Sequence, residues 1–122
     1  MADFTYAAPP ATVGATYAWS INLVDLVTGL PPNLTGYSGD LQIRQQAGSA
    51  IIDEASTANG GLTLNTPNIA NASGVGACNV FFASSQLTTP GQFQYELKLV
   101  DPTNNVSKPI GGQFTINATT TP

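Results

Sequence analysis

Side chains able to do chemistry are sparse in this chain of 122 residues, which carries 3 Lys and Arg, 7 Asp and Glu, no His and one Cys. The adjacent carboxylates Asp53 and Glu54 are the first candidates for acid/base work. Two carboxylates share a proton or a metal only if they face the same space, and neighbours on a strand point to opposite faces unless a bulge intervenes. The pair therefore reads as solvated side chains. A calcium loop needs several oxygen ligands at short spacing, whereas Asp25, Asp40 and Asp101 stand apart, so neither a metal site nor a cofactor is expected. Cys78 sits on an apolar, strand-like stretch with no His to activate it, and reads as a buried, inert thiol. Lys98 and Glu96 share the polar face of one strand. A Lys–Asn isopeptide bond would need a buried carboxylate beside them, so an exposed ion pair is expected instead. No catalytic residue emerges, and an enzyme is not expected.

Four N-x-[ST] sequons, at Asn33, Asn71, Asn105 and Asn117, would mark glycosylation in a secreted protein. With 10 Asn and 23 Ser plus Thr, composition alone gives about two, which removes most of their weight. The N-terminal "MADFTYAAPP" has neither a basic n-region nor a long apolar stretch, so synthesis in the cytoplasm is expected. A single cysteine agrees with a reducing compartment and makes an internal disulfide impossible. No apolar run approaches the roughly 18 residues of a membrane helix, so a soluble chain with no membrane partner is expected.

Charged residues make up 8% of the chain, against roughly 25% in an average soluble domain. Asn, Gln, Ser and Thr take their place and solvate a surface with little of the repulsion that keeps copies apart. The net charge is −4 and the cations are Arg44, Lys98 and Lys108. That leaves no basic stripe to neutralise phosphates, which argues against nucleic acid as a partner.

The elements that must position these residues are strands. In "TYAWSINLV", Tyr17, Trp19, Ile21 and Leu23 alternate with polar or small residues, the period of a half-buried strand. Gly29, Pro31, Pro32 and Gly36 then mark a long loop. "YSGDLQIRQQ" turns Leu41 and Ile43 inward and is predicted to pair with "AIIDEA" through a short hairpin. Asn59-Gly60-Gly61 predicts a tight turn into "LTLN", and residues 66–77 read as an extended surface loop. "CNVFFAS" directs Cys78, Val80 and Phe82 inward and Phe81 outward. Phe93, Tyr95, Leu97 and Leu99 predict a core strand, "DPTNN" a turn, and "VSKPIGGQFTIN" a returning strand with Phe114 and Ile116 inward and a bend or bulge near Pro109. No capped stretch with a helical period is found.

The pattern predicts one all-β domain, an immunoglobulin-like sandwich of about 7–8 antiparallel strands over residues 14–117, with Trp19 buried between the sheets near Tyr95. A jelly roll or small barrel stays open, because the cysteine pair of antibody domains is missing. Residues 1–13 form an extended N-terminal arm or a first strand, and residues 118–122 a tail. Phe4 and Tyr6 alternate ahead of Pro9-Pro10, which favours an extended segment. Phe4, Tyr6, Pro9, Pro10 and outward-facing Phe81 are the candidate partner-binding residues. Sugar binding would need exposed aromatics in a row, and Tyr37, Phe81 and Tyr6 are scattered, so a carbohydrate-binding module is the weaker alternative.

The segments "GATYAWSINLVD", "LTGYSGDLQIRQQAGSAIIDEASTANGGLTL" and "TPGQFQYELKLVDPTNNVSKPIGGQFTI" resemble small β-sandwich proteins of tailed-bacteriophage structural modules, similar to the N-terminal domain of a phage baseplate upper protein. The resemblance spans residues 14–116 through turn and strand patterns. It implies an immunoglobulin-like sandwich placed in a virion and supplies no catalytic residue. The Pro31-Pro32 loop and the stretch 66–77 are longer than that pattern. The implied role is a non-enzymatic virion protein, a capsid decoration or cement protein bound in many copies between coat subunits, with a tail, neck or fibre adaptor as the alternative. Its partners would be phage coat or other virion proteins, with homo-oligomers possible.

Overall fold

A computed structural model of the chain describes residues 4–118 apart from Tyr6, Leu26 and Ala47. The described residues form strands, turns and loops with no helix. Two short strands come first, β1 (Phe4–Thr5) and β2 (Ala11–Thr12). They are followed by β3 (Tyr17–Asn22), β4 (Ser38–Arg44), β5 (Ile51–Ser56), β6 (Leu62–Leu64), β7 (Ala77–Phe82), β8 (Gly91–Val100) and β9 (Val106–Asn117).

The strands divide between two sheets. The larger runs β1-β9-β8-β4-β5 with β2 also on β9, and the smaller runs β3-β7-β6. Alternation along each strand decides which side chains meet between them. The larger sheet contributes Leu41, Ile43, Phe93, Tyr95, Leu97, Leu99, Phe114 and Ile116, and the smaller Tyr17, Ile21, Leu62, Cys78, Val80 and Phe82, to one buried cluster. The inward registers read from the sequence for β4, β7, β8 and β9 are thus the ones observed. The β4–β5 hairpin forms as expected, and Gly60 makes the turn from β5 into β6 at φ +81, a conformation that costs a residue without Cβ nothing.

Aromatic rings carry the contact between the layers. Tyr17 lies 5.3 Å from Phe114, and Trp19 lies 5.2 Å from Tyr95 with the rings at 81°. Edge-on pairs of this kind add about 0.5–1.5 kcal/mol beyond the area they bury. Trp19 departs from expectation in degree: it is half-buried and packs against the rim of the core rather than inside it. Tyr17 is the fully covered aromatic of β3. Its hydroxyl donates to the Pro9 carbonyl at 2.8 Å, and burial, then the neighbouring Tyr95, pushes its pKa well above the usual phenol range.

The first strands are not antiparallel: β1 and β2 both run parallel to β9, with Phe4 opposite Ile110 and Ala11 opposite Ile116. The described part of the arm is therefore laid along the edge of its own sheet. The bulge expected near Pro109 is present, since Leu97 faces Ile110 while Leu99 faces Ser107, leaving one extra residue on β9. A second, unforeseen bulge lies in β5, where Ile43 faces Asp53 and Arg44 faces Ile51, so that Ile52 has no partner.

Candidate interaction surface

Asp53 shares its face with Ile43, its cross-strand partner, and therefore points to the inner side of the sheet at its open edge. There its Oδ1 accepts from Gln86 Nε2 at 2.9 Å and its Oδ2 from the Leu87 N–H at 3.1 Å. The expectation of mere solvation is wrong for Asp53, which fastens the β7–β8 loop to β5. Leu87 is buried with φ +55, a conformation costly for a branched side chain, and the carboxylate helps to hold it there.

Glu54 lies on the opposite, outer face, so the two neighbours do diverge as expected. That face carries a polar ladder: Gln42 Nε2 donates to Asp40 Oδ2 at 2.8 Å, and Arg44 Nη2 donates to Gln42 Oε1 at 2.6 Å. Asp40 Oδ1 is buried with no hydrogen-bond partner among the described residues; Asp40 is the main cause that raises the Glu54 pKa, first as an acceptor for the protonated carboxyl and then through its charge, followed by burial and Asp53, with Arg44 opposing. Asp40, Glu54 and Lys98 line an open hollow of about 320 Å³. The anticipated Lys98–Glu96 pair does not form; Glu96 meets Lys108 of β9 at 3.3 Å. Lys108 lies in the β9 bulge, between the residues that face Leu97 and Leu99, and from there its ammonium reaches Glu96. Cys78 is fully buried, and burial pushes its thiol up to about 12, as an inert packing residue requires.

The larger feature is at one end of the molecule. The β3–β4 loop exposes Val24, Val27 and Leu30, and the β6–β7 loop exposes Ile69 and Val75. Ile69 and Val27 are almost wholly in solvent, at 107% and 94%, where isolated loops would gain nothing by keeping them apolar. These two loops are fastened to one another. The Leu23 N–H donates to the Gly76 carbonyl at 3.0 Å, and the Leu34 N–H to Asn65 Oδ1 at 3.1 Å. Asn68 Nδ2 donates both to Asn22 Oδ1 at 3.0 Å and to Asn79 Oδ1 at 2.9 Å. Gly76 packs so closely on Pro31, Pro32 and the Leu23 carbonyl that a Cβ there would come within 3.0–3.2 Å of them. The β8–β9 turn joins the same end, with Pro102 against Gly36.

Asparagine explains how polar loops hold a fixed shape, because each amide both donates and accepts. Two sequon asparagines have structural duties: Asn71 Nδ2 donates to the Val75 carbonyl at 2.8 Å, and Asn33 Oδ1 accepts from Asn65 Nδ2 at 2.8 Å. The one charged residue in the β3–β4 loop, Asp25, is occupied in its own turn, where Oδ1 accepts from the Val27 N–H at 2.8 Å. The end is thus apolar at its tips, amide-rich beneath and nearly uncharged.

The structure does not gather the residues singled out for partner binding. Pro9 and Pro10 are exposed along β9, and Phe4 pairs there through its backbone. Tyr6 lies outside the described residues. Phe81 is 48% exposed on the outer face of β7, paired with Ala18 of β3 in the smaller sheet and away from the arm. Sequence reasoning missed Val24, Val27, Leu30, Ile69 and Val75. The available signal was the presence of branched apolar residues inside segments that Gly, Pro and Asn mark as loops. The chain matches no protein-family model and no curated protein sequence.

Proposed function

We propose that this chain is a non-enzymatic structural protein of a tailed-bacteriophage virion that decorates or cements the capsid, seating its loop end between coat subunits. The observation that carries the docking role is the pair of interlocked loops that hold Val27, Leu30 and Ile69 in solvent. Their rigidity means little ordering entropy is lost on binding, and burying each such side chain contributes about 1.5–3 kcal/mol. Many weak seats on a repeating lattice then hold a coat of copies in place. The virion setting rests on the resemblance of the strand and turn segments. The immunoglobulin-like form is supported by strand order, since β6-β7-β3 against β5-β4-β8-β9 follows D-E-B against C′-C-F-G. In that reading the interlocked loops and the β8–β9 turn occupy the end that antibody variable domains use for recognition.

The test compares the wild-type chain with Val27→Asp/Ile69→Asp, both positions being exposed and free of core contacts. Expected are unchanged melting and lost incorporation into particles, with hundreds of wild-type copies per particle by quantitative mass spectrometry. Tens of copies or fewer would instead assign the chain to a tail, neck or fibre. Equal incorporation of the variant would show that another surface seats the protein, and its absence from purified particles would end the virion reading.

A further inference from the structure

We propose that residues 4–12 exchange between two copies of this chain, each arm leaving β9 of its own molecule to take the same parallel place on β9 of the other. The first observation is how the arm is held. Its ladder to β9 is discontinuous: Phe4 and Thr5 face Ile110 and Gly111, the Ala8 N–H donates to the Gln113 carbonyl at 2.9 Å, and Ala11 and Thr12 face Ile116 and Asn117. Pro9 and Pro10 lack the N–H needed to close the gap. Of residues 7–12, only Ala8 and Ala11 are buried, so this stretch is held by two methyl groups, its backbone bonds to β9 and one Tyr17 hydroxyl bond.

The second observation is the joint. The arm meets β3 through a turn closed by the Ala15 N–H on the Thr12 carbonyl at 3.1 Å, with Gly14 at φ +81 facing open space. No described residue packs against Gly14, and the bond that the opening gives up, from the Val13 N–H to the Asn117 carbonyl at 2.9 Å, is offered again by β9 of the other copy. Pro9-Pro10 keep the released arm extended, which lowers the entropy lost when it pairs again.

The third observation identifies the occupant. A released arm leaves β9 as an unpaired edge with Ile116 beside it, and edges of this kind recruit strands. The segment whose spacing fits that edge is the arm itself, so a second copy supplies every bond that the first gave up. Residues 4–12 carry no charge, and β9 carries only Lys108, so no repulsion opposes the pairing. The reciprocal exchange closes as a dimer. This inference is independent of the virion reading and of the loop end.

Cross-linking tests it. Thr12 and Asn117 are register partners and both exposed. A chain with Thr12→Cys, mixed with a tagged chain with Asn117→Cys, is incubated and treated with a short bis-maleimide. Buried Cys78 stays out of the reaction. Exchange predicts a mixed dimer at least about tenfold above that from Thr12→Cys with Ala58→Cys, because paired positions meet at a millimolar effective concentration. The double variant Thr12→Cys/Asn117→Cys serves as the check that arm and edge are neighbours. Mixed dimer at the control level overturns the proposal when that double variant links within one chain. A double variant that links neither within nor between chains overturns it as well.

Discussion

Asp53→Ala should destabilise the protein far more than its position in an adjacent acidic pair suggests. The substitution removes the acceptors of the Gln86 amide and the Leu87 N–H. Hydrogen bonds to a charged group contribute about 1.5–3 kcal/mol each, and the half-buried setting of Asp53 favours the lower end. Freed of its anchor, Leu87 can leave its positive φ, which returns about 1 kcal/mol of strain. The net loss is about 2 kcal/mol, and for a domain of this size it lowers Tm by roughly 6–10 °C. Calorimetric melting at pH 7 measures it, with urea titration as an independent readout. Asp53→Asn keeps one acceptor and should lose about half as much, whereas Glu54→Gln should change Tm little. An Asp53→Ala protein that melts within a degree or two of wild type would refute the view that this carboxylate pins the loop.

Trp19→Ala should cost about 2–3 kcal/mol, below the roughly 3–5 kcal/mol of Phe82→Ala, because the indole is half-buried while the Phe82 ring is completely covered; the reverse ranking in chemical denaturation would contradict the packing described. The pair Asp40/Glu54 should give a pH signature. The Glu54 pKa is raised in the fold, so its stabilising contribution is complete below the ordinary carboxyl value and is lost as pH rises through the raised one. Melting curves between pH 4 and 7 should therefore show wild type gaining on Glu54→Gln as the solution is acidified. Parallel profiles for the two proteins would show that Glu54 and Asp40 do not share a proton.

Much of this protein was legible in the residue order because a strand's alternation is a local property. The period of two in "LQIR", "CNVFF" and "FQYELKL" identified Leu41, Ile43, Cys78, Val80, Phe82, Phe93, Tyr95, Leu97 and Leu99 as inward, and these residues are buried. Turn chemistry at Asn59-Gly60 and Asp101-Pro102 likewise needs only near neighbours. The one cysteine could be read as inert from its apolar surroundings, and its burial accounts for that.

Tertiary structure decided what depends on residues distant in the chain. The two apolar loops belong to one end only because β3 pairs with β7 and β7 with β6, a pairing that no local period encodes. Glu96 chose Lys108 over Lys98 because β9 lies beside β8. Asp53 became an anchor because it shares the inner face of β5 with buried Ala55, at the open edge where the β7–β8 loop passes. The arm's parallel course along β9 also required the assembled sheet, since its bonds run to residues more than 100 positions away. Alternation told each strand which side to bury, and only the closing of the sheets told each polar side chain whom to meet.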